Sequence, residues 1–231
     1  PYRTVYPPVV RDRLTSLPDC DCALSRKADV LADPAKFADT EYIFSTWGMP
    51  AFTEEEIKAN LPALKAVFYG AGSVQGFARP FLNCGVKVFS AWAANAVPVA
   101  EYTVAQIILA GKDFFVQSRL LAAEDRAAAV ARHGGHFGNY RKKVGLIGCG
   151  MIGSLVAEML KVYDLEVLAF DPFMSPEKAQ KLGVTPCSLE ELFATCSVVS
   201  NHLANNAQTQ KMLTYKHFSA MLPYATFLNT G

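Results

Sequence analysis

Val144-Gly-Leu-Ile-Gly-Cys-Gly-Met-Ile-Gly153 is an apolar run that passes directly into G-x-G-x-x-G. Val144–Ile147 has the character of a buried strand, and the residues after the glycines have the spacing of a helix. Ile152, Leu155, Val156, Met159, Leu160 and Tyr163 recur at i, i+3, i+4 and i+7 and so share one face. A second apolar run, Val167–Phe170, ends at Asp171, eighteen residues past Gly153. Strand, glycine turn, amphipathic helix, strand and terminal acid make a βαβ unit suited to a dinucleotide. Gly148 permits the tight turn, Gly150 removes the Cβ that would stand between backbone and pyrophosphate, and Gly153 lets helix and strand close on each other. Unpaired amides at the helix start favour the phosphate charge. Asp171 can accept from both ribose hydroxyls and would repel a 2′-phosphate, and Pro172-Phe-Met174 offers no arginine to hold one. NAD is therefore expected rather than NADP.

The same rhythm extends in both directions. Downstream, Ser175-Pro176 opens a helix that stops at Gly183, Ser188-Leu-Glu-Glu191 spells a capping box, and Ser197–Ser200 and Thr226–Asn229 read as further strands. Between those strands lies a polar loop, 201–210, at a strand's carboxyl end. Its His202 is open to two roles, a catalytic acid or a side chain that bonds locally. Upstream, residues 98–118 read as a long, mainly apolar helix and 119–132 as a second, together a domain connector. The glycine-rich, basic stretch 133–143 reads as a surface loop, with His133 and His136 more simply exposed than ligands.

From residue 1 to 97, Tyr42–Ser45, Ala66–Tyr69 and Val86–Phe89 read as strands, and Thr53-Glu-Glu-Glu-Ile-Lys as a helix start with an acidic first turn. Alternation of this kind gives an α/β fold with parallel sheets. Domains are expected at 1–97 and 98–231. Tyr69-Gly-Ala-Gly-Ser-Val74 sets two glycines after a strand, where outward amides could cradle an anion or form an ordinary turn.

Composition narrows the partners. Of 231 residues 51% are hydrophobic and 19% charged, and Lys plus Arg (22) balance Asp plus Glu (21), so no long-range field would hold a nucleic acid. Apolar stretches are broken well short of the ~20 residues a membrane span needs, so no membrane partner and a cytoplasmic location are expected. The six cysteines are dispersed, and Cys20-x-Cys22 has no second pair at zinc-site spacing, so free thiols and no metal are expected. No tyrosine is followed four residues later by lysine, which removes short-chain dehydrogenase chemistry.

Val144–Gly153 with Asp171, Val99-Ala-Glu101 preceded by Asn95, and the closing Phe227-Leu-Asn-Thr-Gly231 together resemble the D-isomer-specific 2-hydroxyacid dehydrogenases. That group includes phosphoglycerate dehydrogenase, D-lactate dehydrogenase and the glyoxylate and hydroxypyruvate reductases. The resemblance implies two doubly wound parallel-sheet domains, flavodoxin-like then Rossmann-like, with the active site in the cleft between them, and a homodimer. It implies NAD and a small 2-hydroxy or 2-keto acid as partners. Met151 and Ile152 would contact the pyrophosphate, Asp171 the ribose, Leu203, Ala204 and Thr209 would line the cofactor site, and Thr230 and Gly231 would lie beside the nicotinamide. Ala71, Gly72 and Ser73 would hold the substrate carboxylate, which favours the anion-cradle role, and Trp47 would supply a pocket aromatic. Two positions depart from the family: Val74-Gln75-Gly76 replaces its usual Asp, and Ala204 its usual Pro. The family's catalytic Arg, Glu and His are expected beyond residue 231, with both domains incomplete and no catalytic group in this chain. The alternative is a non-catalytic NAD(H)-binding sensor or partner-binding module.

Overall fold

Two parallel sheets, each in its own unit, organise the chain. The units are Pro1–Asn95 and Ala96–Gly231, and the computed structural model describes residues 2–21, 23–133 and 138–230.

The first unit begins with four short helices, α1 (Tyr2–Val5), α2 (Pro8–Thr15), α3 (Lys27–Ala32) and α4 (Pro34–Phe37). Then follow β1 (Tyr42–Ser45), α5 (Glu54–Asn60), β2 (Ala66–Tyr69), α6 (Ala78–Asn83) and β3 (Lys87–Ser90). The strands lie in the order β1-β2-β3, all parallel. Thr53 caps α5 as the sequence suggests: its hydroxyl accepts from the Glu56 amide (3.2 Å), and the Glu56 carboxylate accepts from the Thr53 amide (2.8 Å). Ile57, Leu61, Val67 and Phe81 fill the core between helices and sheet. The third strand starts at Lys87 rather than at the expected Val86, which is buried just before the ladder begins.

The second unit contains most of α7 (Trp92–Gly111), then α8 (Phe114–Ala122), α9 (Arg126–His133), β4 (Lys142–Ile147), α10 (Met151–Leu160), β5 (Leu165–Phe170) and α11 (Pro176–Leu182). It closes with β6 (Thr185–Pro186), α12 (Leu189–Thr195), β7 (Val198–Asn201), α13 (Tyr215–Ser219) and β8 (Thr226–Asn229). The sheet order is β6-β5-β4-β7-β8, parallel throughout. The chain winds outward from β4 in one direction and from β7 in the other, so the switch point, where open α/β sheets bind ligands, lies at the carboxyl ends of β4 and β7. Both faces are covered. Val144 and Leu146 point into a core shared with Val104 and Ile107 of α7 and Val156 and Leu160 of α10. Ile147 points the other way, toward Leu192 and Phe193 of α12.

Several expectations are corrected. The helix expected at 98–118 runs from Trp92 to Gly111, with Pro98 inside it rather than at its start. It ends where the Asn139 side chain plugs it: Asn139 Nδ2 donates to the Ile108 carbonyl (3.0 Å), and a Cβ on Gly111 would lie 1.7 Å from Asn139 Oδ1. The second helix, expected at 119–132, is split into α8 and α9 by a turn in which Glu124 takes φ +58°. α7 is long and apolar enough to cross a membrane by length and composition, contrary to the sequence expectation. Its buried residues, Ala100, Val104, Ile107 and Ala110, pack on β4 and α10, so one face of it belongs to the core of the second unit. Tyr163 lies past the end of α10 and is exposed, so it is no part of that helix's buried face. Ser175 and Gly183 bound α11 as expected, with Gly183 at φ +69°. Ser188 shows the forward half of its capping box, accepting from the Glu191 amide (3.1 Å).

Candidate functional site

β4 delivers the chain to Gly148, whose φ of +84° reverses it, and its amide extends the ladder by donating to the Phe170 carbonyl (2.8 Å). The next peptide is gripped from several sides. Cys149 N–H donates to Asp171 Oδ2 (2.8 Å), and the Cys149 carbonyl accepts from Ser154 Oγ (2.8 Å) and from Lys178 Nζ (2.6 Å). The Cys149 thiol is wholly buried, and desolvation, with the Asp171 carboxylate adding, pushes it up to about 11. It is thus an inert packing group rather than a nucleophile.

The other two glycines differ in kind. A Cβ built on Gly153 would lie 2.0 Å from the Gly148 carbonyl oxygen, so the start of α10 can approach the turn only without one. A Cβ on Gly150 meets nothing within 4 Å. Gly150 precedes the first residue of α10 with no capping side chain, so the open space in front of it is faced by helix N-terminal amides.

Asp171 follows β5 directly and stands beside this turn. Its second oxygen accepts from Phe173 N–H (2.9 Å), so two of its roughly four lone-pair sites are used. Met151 is exposed at the helix start, whereas Ile152 turns its side chain onto the core and leaves only backbone toward the open space.

The loop after β7 completes this end of the sheet. Leu203, Ala204 and Thr209 line one cleft of about 280 Å³ with Asn201, Lys211 and Asn229. Asn206 Oδ1 accepts from the Gln208 and Thr209 amides (2.9 and 3.2 Å), and the Thr209 hydroxyl bonds the Ala204 carbonyl, which holds the loop in shape. Thr230 N–H donates to the Asn201 carbonyl (3.3 Å). Gly231 lies outside the described residues. His202 bonds locally through both ring nitrogens, and burial pushes its pKa down to about 4.

In the first unit, the expected substrate residues gather at the carboxyl ends of β1 and β2. Gly70 N–H donates to the Ser45 carbonyl (2.8 Å), which also accepts from Tyr6 Oη (2.8 Å). Ser90 Oγ reaches the Ala71 and Gly72 carbonyls (2.9 and 2.5 Å), turning both inward. Ala71 is wholly buried and can offer only backbone, Ser73 is exposed, and Trp47 is half exposed in the loop after β1. A Cβ on Gly72 would meet the Asn95 amide at 3.2 Å. Of the loop residues weighed as ligands, His133 ends α9, and His136, like Cys22, lies outside the described residues.

Lys178 and Ser154, which hold the turn, escaped sequence reasoning. Ser154 adjoins the glycine motif and could have been noticed, but nothing local ties Lys178 to a carbonyl 29 residues away.

Residues 115–231 match the family model described as D-isomer specific 2-hydroxyacid dehydrogenase, NAD binding domain. The D-3-phosphoglycerate dehydrogenase of Mycobacterium bovis is 29% identical over 185 residues, covering 77% of this chain and 33% of that protein. The formate dehydrogenase of Chaetomium thermophilum is 30% identical over 200 residues, covering 84% of this chain and 54% of that protein. Among solved structures, the holo form of D-mandelate dehydrogenase from Rhodotorula graminis aligns with a TM-score of 0.79 and 18% identity over 96% of this chain and 69% of that one, a likeness of fold. The chain thus spans about a third to a half of the length of these curated relatives. Strand order, glycine turn and family match agree, and the chain belongs to the D-isomer specific 2-hydroxyacid dehydrogenase family, with the family's NAD-binding domain in residues 115–231.

Proposed function

We propose that this chain seats NAD(H) and a small D-2-hydroxy or 2-keto acid for hydride transfer between the nicotinamide and the acid's C2. The observation that carries the reading is the pairing of an open Gly150, at the start of α10, with Asp171 at the end of β5. The residues present fit the cofactor. Gly150 leaves room for a phosphate, the amides of Met151 and Ile152 supply donors, and Asp171 keeps lone pairs for ribose hydroxyls. Leu203, Ala204, Thr209, Thr230 and Gly231 would complete the seat. When bound, the nicotinamide supplies or accepts the hydride.

The remaining roles belong to the chain's own groups. Asp171 disfavours a 2′-phosphate, and the nearby Lys178 ammonium is engaged by the Cys149 carbonyl, so NAD is selected over NADP. Backbone amides of Ala71, Gly72 and Ser73 hold the substrate carboxylate, and Trp47 walls the pocket. His202 is neutral at pH 7 and bonded at both nitrogens, so it is not assigned the proton transfer. Polarising the keto oxygen and moving the hydroxyl proton are assigned to an Arg, a Glu and a His outside these 231 residues. Taken alone, the 231 residues should bind without turning over. The family resemblance supports a homodimer as the assembled form.

Titrating the 231-residue chain with NADH and NADPH, then offering 2-keto acids such as glyoxylate and hydroxypyruvate, tests this. Saturable NADH binding, weaker NADPH binding and no NADH consumption are expected. Absence of NADH binding overturns the reading, and turnover by the chain alone overturns the assignment of proton transfer elsewhere. Protein purified from its native source that binds NADH yet reduces no 2-keto acid would replace the enzyme with a binding module.

A further inference from the structure

His202 stands where the carboxyl ends of three strands meet. Its backbone N–H donates to the Ile147 carbonyl at the end of β4 (2.8 Å). Its Nε2 lies 3.0 Å from Ser200 Oγ in β7, and its Nδ1 lies 3.0 Å from Thr230 Oγ1, one residue past β8. The Thr230 hydroxyl is also 3.4 Å from the Asn201 carbonyl. A neutral ring accepts at one nitrogen and donates at the other, and each hydroxyl can do either, so the ring links Ser200 to Thr230 in either tautomer. Burial keeps the ring in that neutral form. On its other side the residue lies next to the glycine turn. A Cβ on Gly148 would lie 3.4 Å from the His202 carbonyl oxygen, and one on Gly153 would lie 3.5 Å from the ring's Cδ2.

We propose that His202 is a positioning residue of the dinucleotide site, a bridge that ties Ser200 to Thr230 and so fixes the Thr230 hydroxyl and the end of β8 beneath the glycine turn. The inference rests on the reading that this turn binds NAD(H). A leucine would fill the same space but, having neither donor nor acceptor, would join neither hydroxyl. Ser200 is wholly buried, so losing the ring strands its hydroxyl away from water.

The test is NADH affinity in the 231-residue chain carrying His202→Leu, Thr230→Val, both together, or His202→Asn, with the melting temperature of each. Loss of the bridge should weaken NADH about tenfold in His202→Leu, and Thr230→Val should lose a similar factor. The double variant should lose no more than the worse single, because the ring acts through the threonine hydroxyl. His202→Asn, which keeps a donor and an acceptor, should recover part of the affinity. Parental affinity in His202→Leu, whatever its melting temperature, or additive losses in the double variant, overturns the proposal. If His202→Leu fails to fold, Ser200→Ala, which keeps the ring and frees its Nε2, replaces it: a severalfold loss is expected, and unchanged affinity overturns the role. An unsubstituted chain that binds no NADH overturns instead the dinucleotide reading beneath it.

Discussion

Alanine at Gly153 and alanine at Gly150, three residues apart in one motif, should fail in different ways. At Gly153 the new Cβ lands 2.0 Å from the Gly148 carbonyl oxygen and 3.1 Å from its carbon, whereas real Cβ atoms essentially never come under 3.0 Å. About 1 Å of separation must therefore open between the first turn of α10 and the turn from β4, and backbone lies on both sides. Overpacking of this kind costs about 1–3 kcal/mol, offset by the ~1 kcal/mol that alanine gains over glycine inside a helix. With backbone on both sides the cost lies at the upper end of that range, and the net loss of about 2 kcal/mol lowers the melting temperature by roughly 5–10 °C for a unit of this size. At Gly150, φ is −68° and the Cβ meets nothing within 4 Å, so the fold should be indifferent to it. The same methyl stands in the space assigned to the pyrophosphate, and NADH affinity should fall by about tenfold or more. Thermal denaturation followed by circular dichroism, paired with NADH fluorescence titration, reads both. A Gly150→Ala variant that binds NADH like its parent, or a Gly153→Ala variant with an unshifted melting temperature, refutes the reasoning.

Asp171→Ala removes the acceptor for the Cys149 and Phe173 amides as well as the one assigned to ribose. It should weaken NADH by about tenfold while narrowing its advantage over NADPH, and an unchanged affinity ratio in parallel titrations would contradict that role. His202 takes up a proton near 6.5 when unfolded but only near about 4 when folded, so the unfolded state binds more protons in that window. Its stabilisation is complete above pH 6.5 and is lost as pH falls. Urea melts should therefore show about 2 kcal/mol less stability at pH 5 than at pH 7 from this group, and His202→Asn should remove that share; equal slopes in parent and variant would count against it. Arg132 donates from Nη2 to Asp113 Oδ1 (2.8 Å), and its guanidinium lies 4.6 Å from the centre of the Tyr224 ring. Arg132→Met should cost about 1.5–2 kcal/mol by urea denaturation, the worth of a charge-assisted bond to a buried carboxylate, and a loss below about 0.5 kcal/mol would show that the pair does not hold α9 in place.

What could be read from sequence was what local chemistry determines. The β4–α10–β5 unit declared itself because an apolar strand, three glycines at fixed offsets and a helical stripe admit few other structures, and Thr53, Ser175 and Gly183 act on neighbours within a turn. Tertiary contacts set the features that were misread. The end of α7 depends on Asn139, whose side chain reaches Ile108 from 31 residues away, and Pro98 sits in the helix interior rather than at its start. β6 is two residues long, contains Pro186 and pairs only at the sheet edge, so no periodicity announces it. The site was legible in the same uneven way. The glycine turn and Asp171 are visible as a motif, while the bridge from Ser200 through His202 to Thr230 joins a residue of β7 to one just past β8, strands that come together only in the folded sheet.

Amide hydrogen exchange of the 231-residue chain, with and without saturating NADH, tests the central claim most directly. If the glycine turn and the loop after β7 seat the dinucleotide, NADH should slow exchange at 148–154, 171–173 and 201–210 and leave the core of β4 unchanged. No added protection at 148–154 under saturating NADH, or protection confined to other segments, would contradict the assignment.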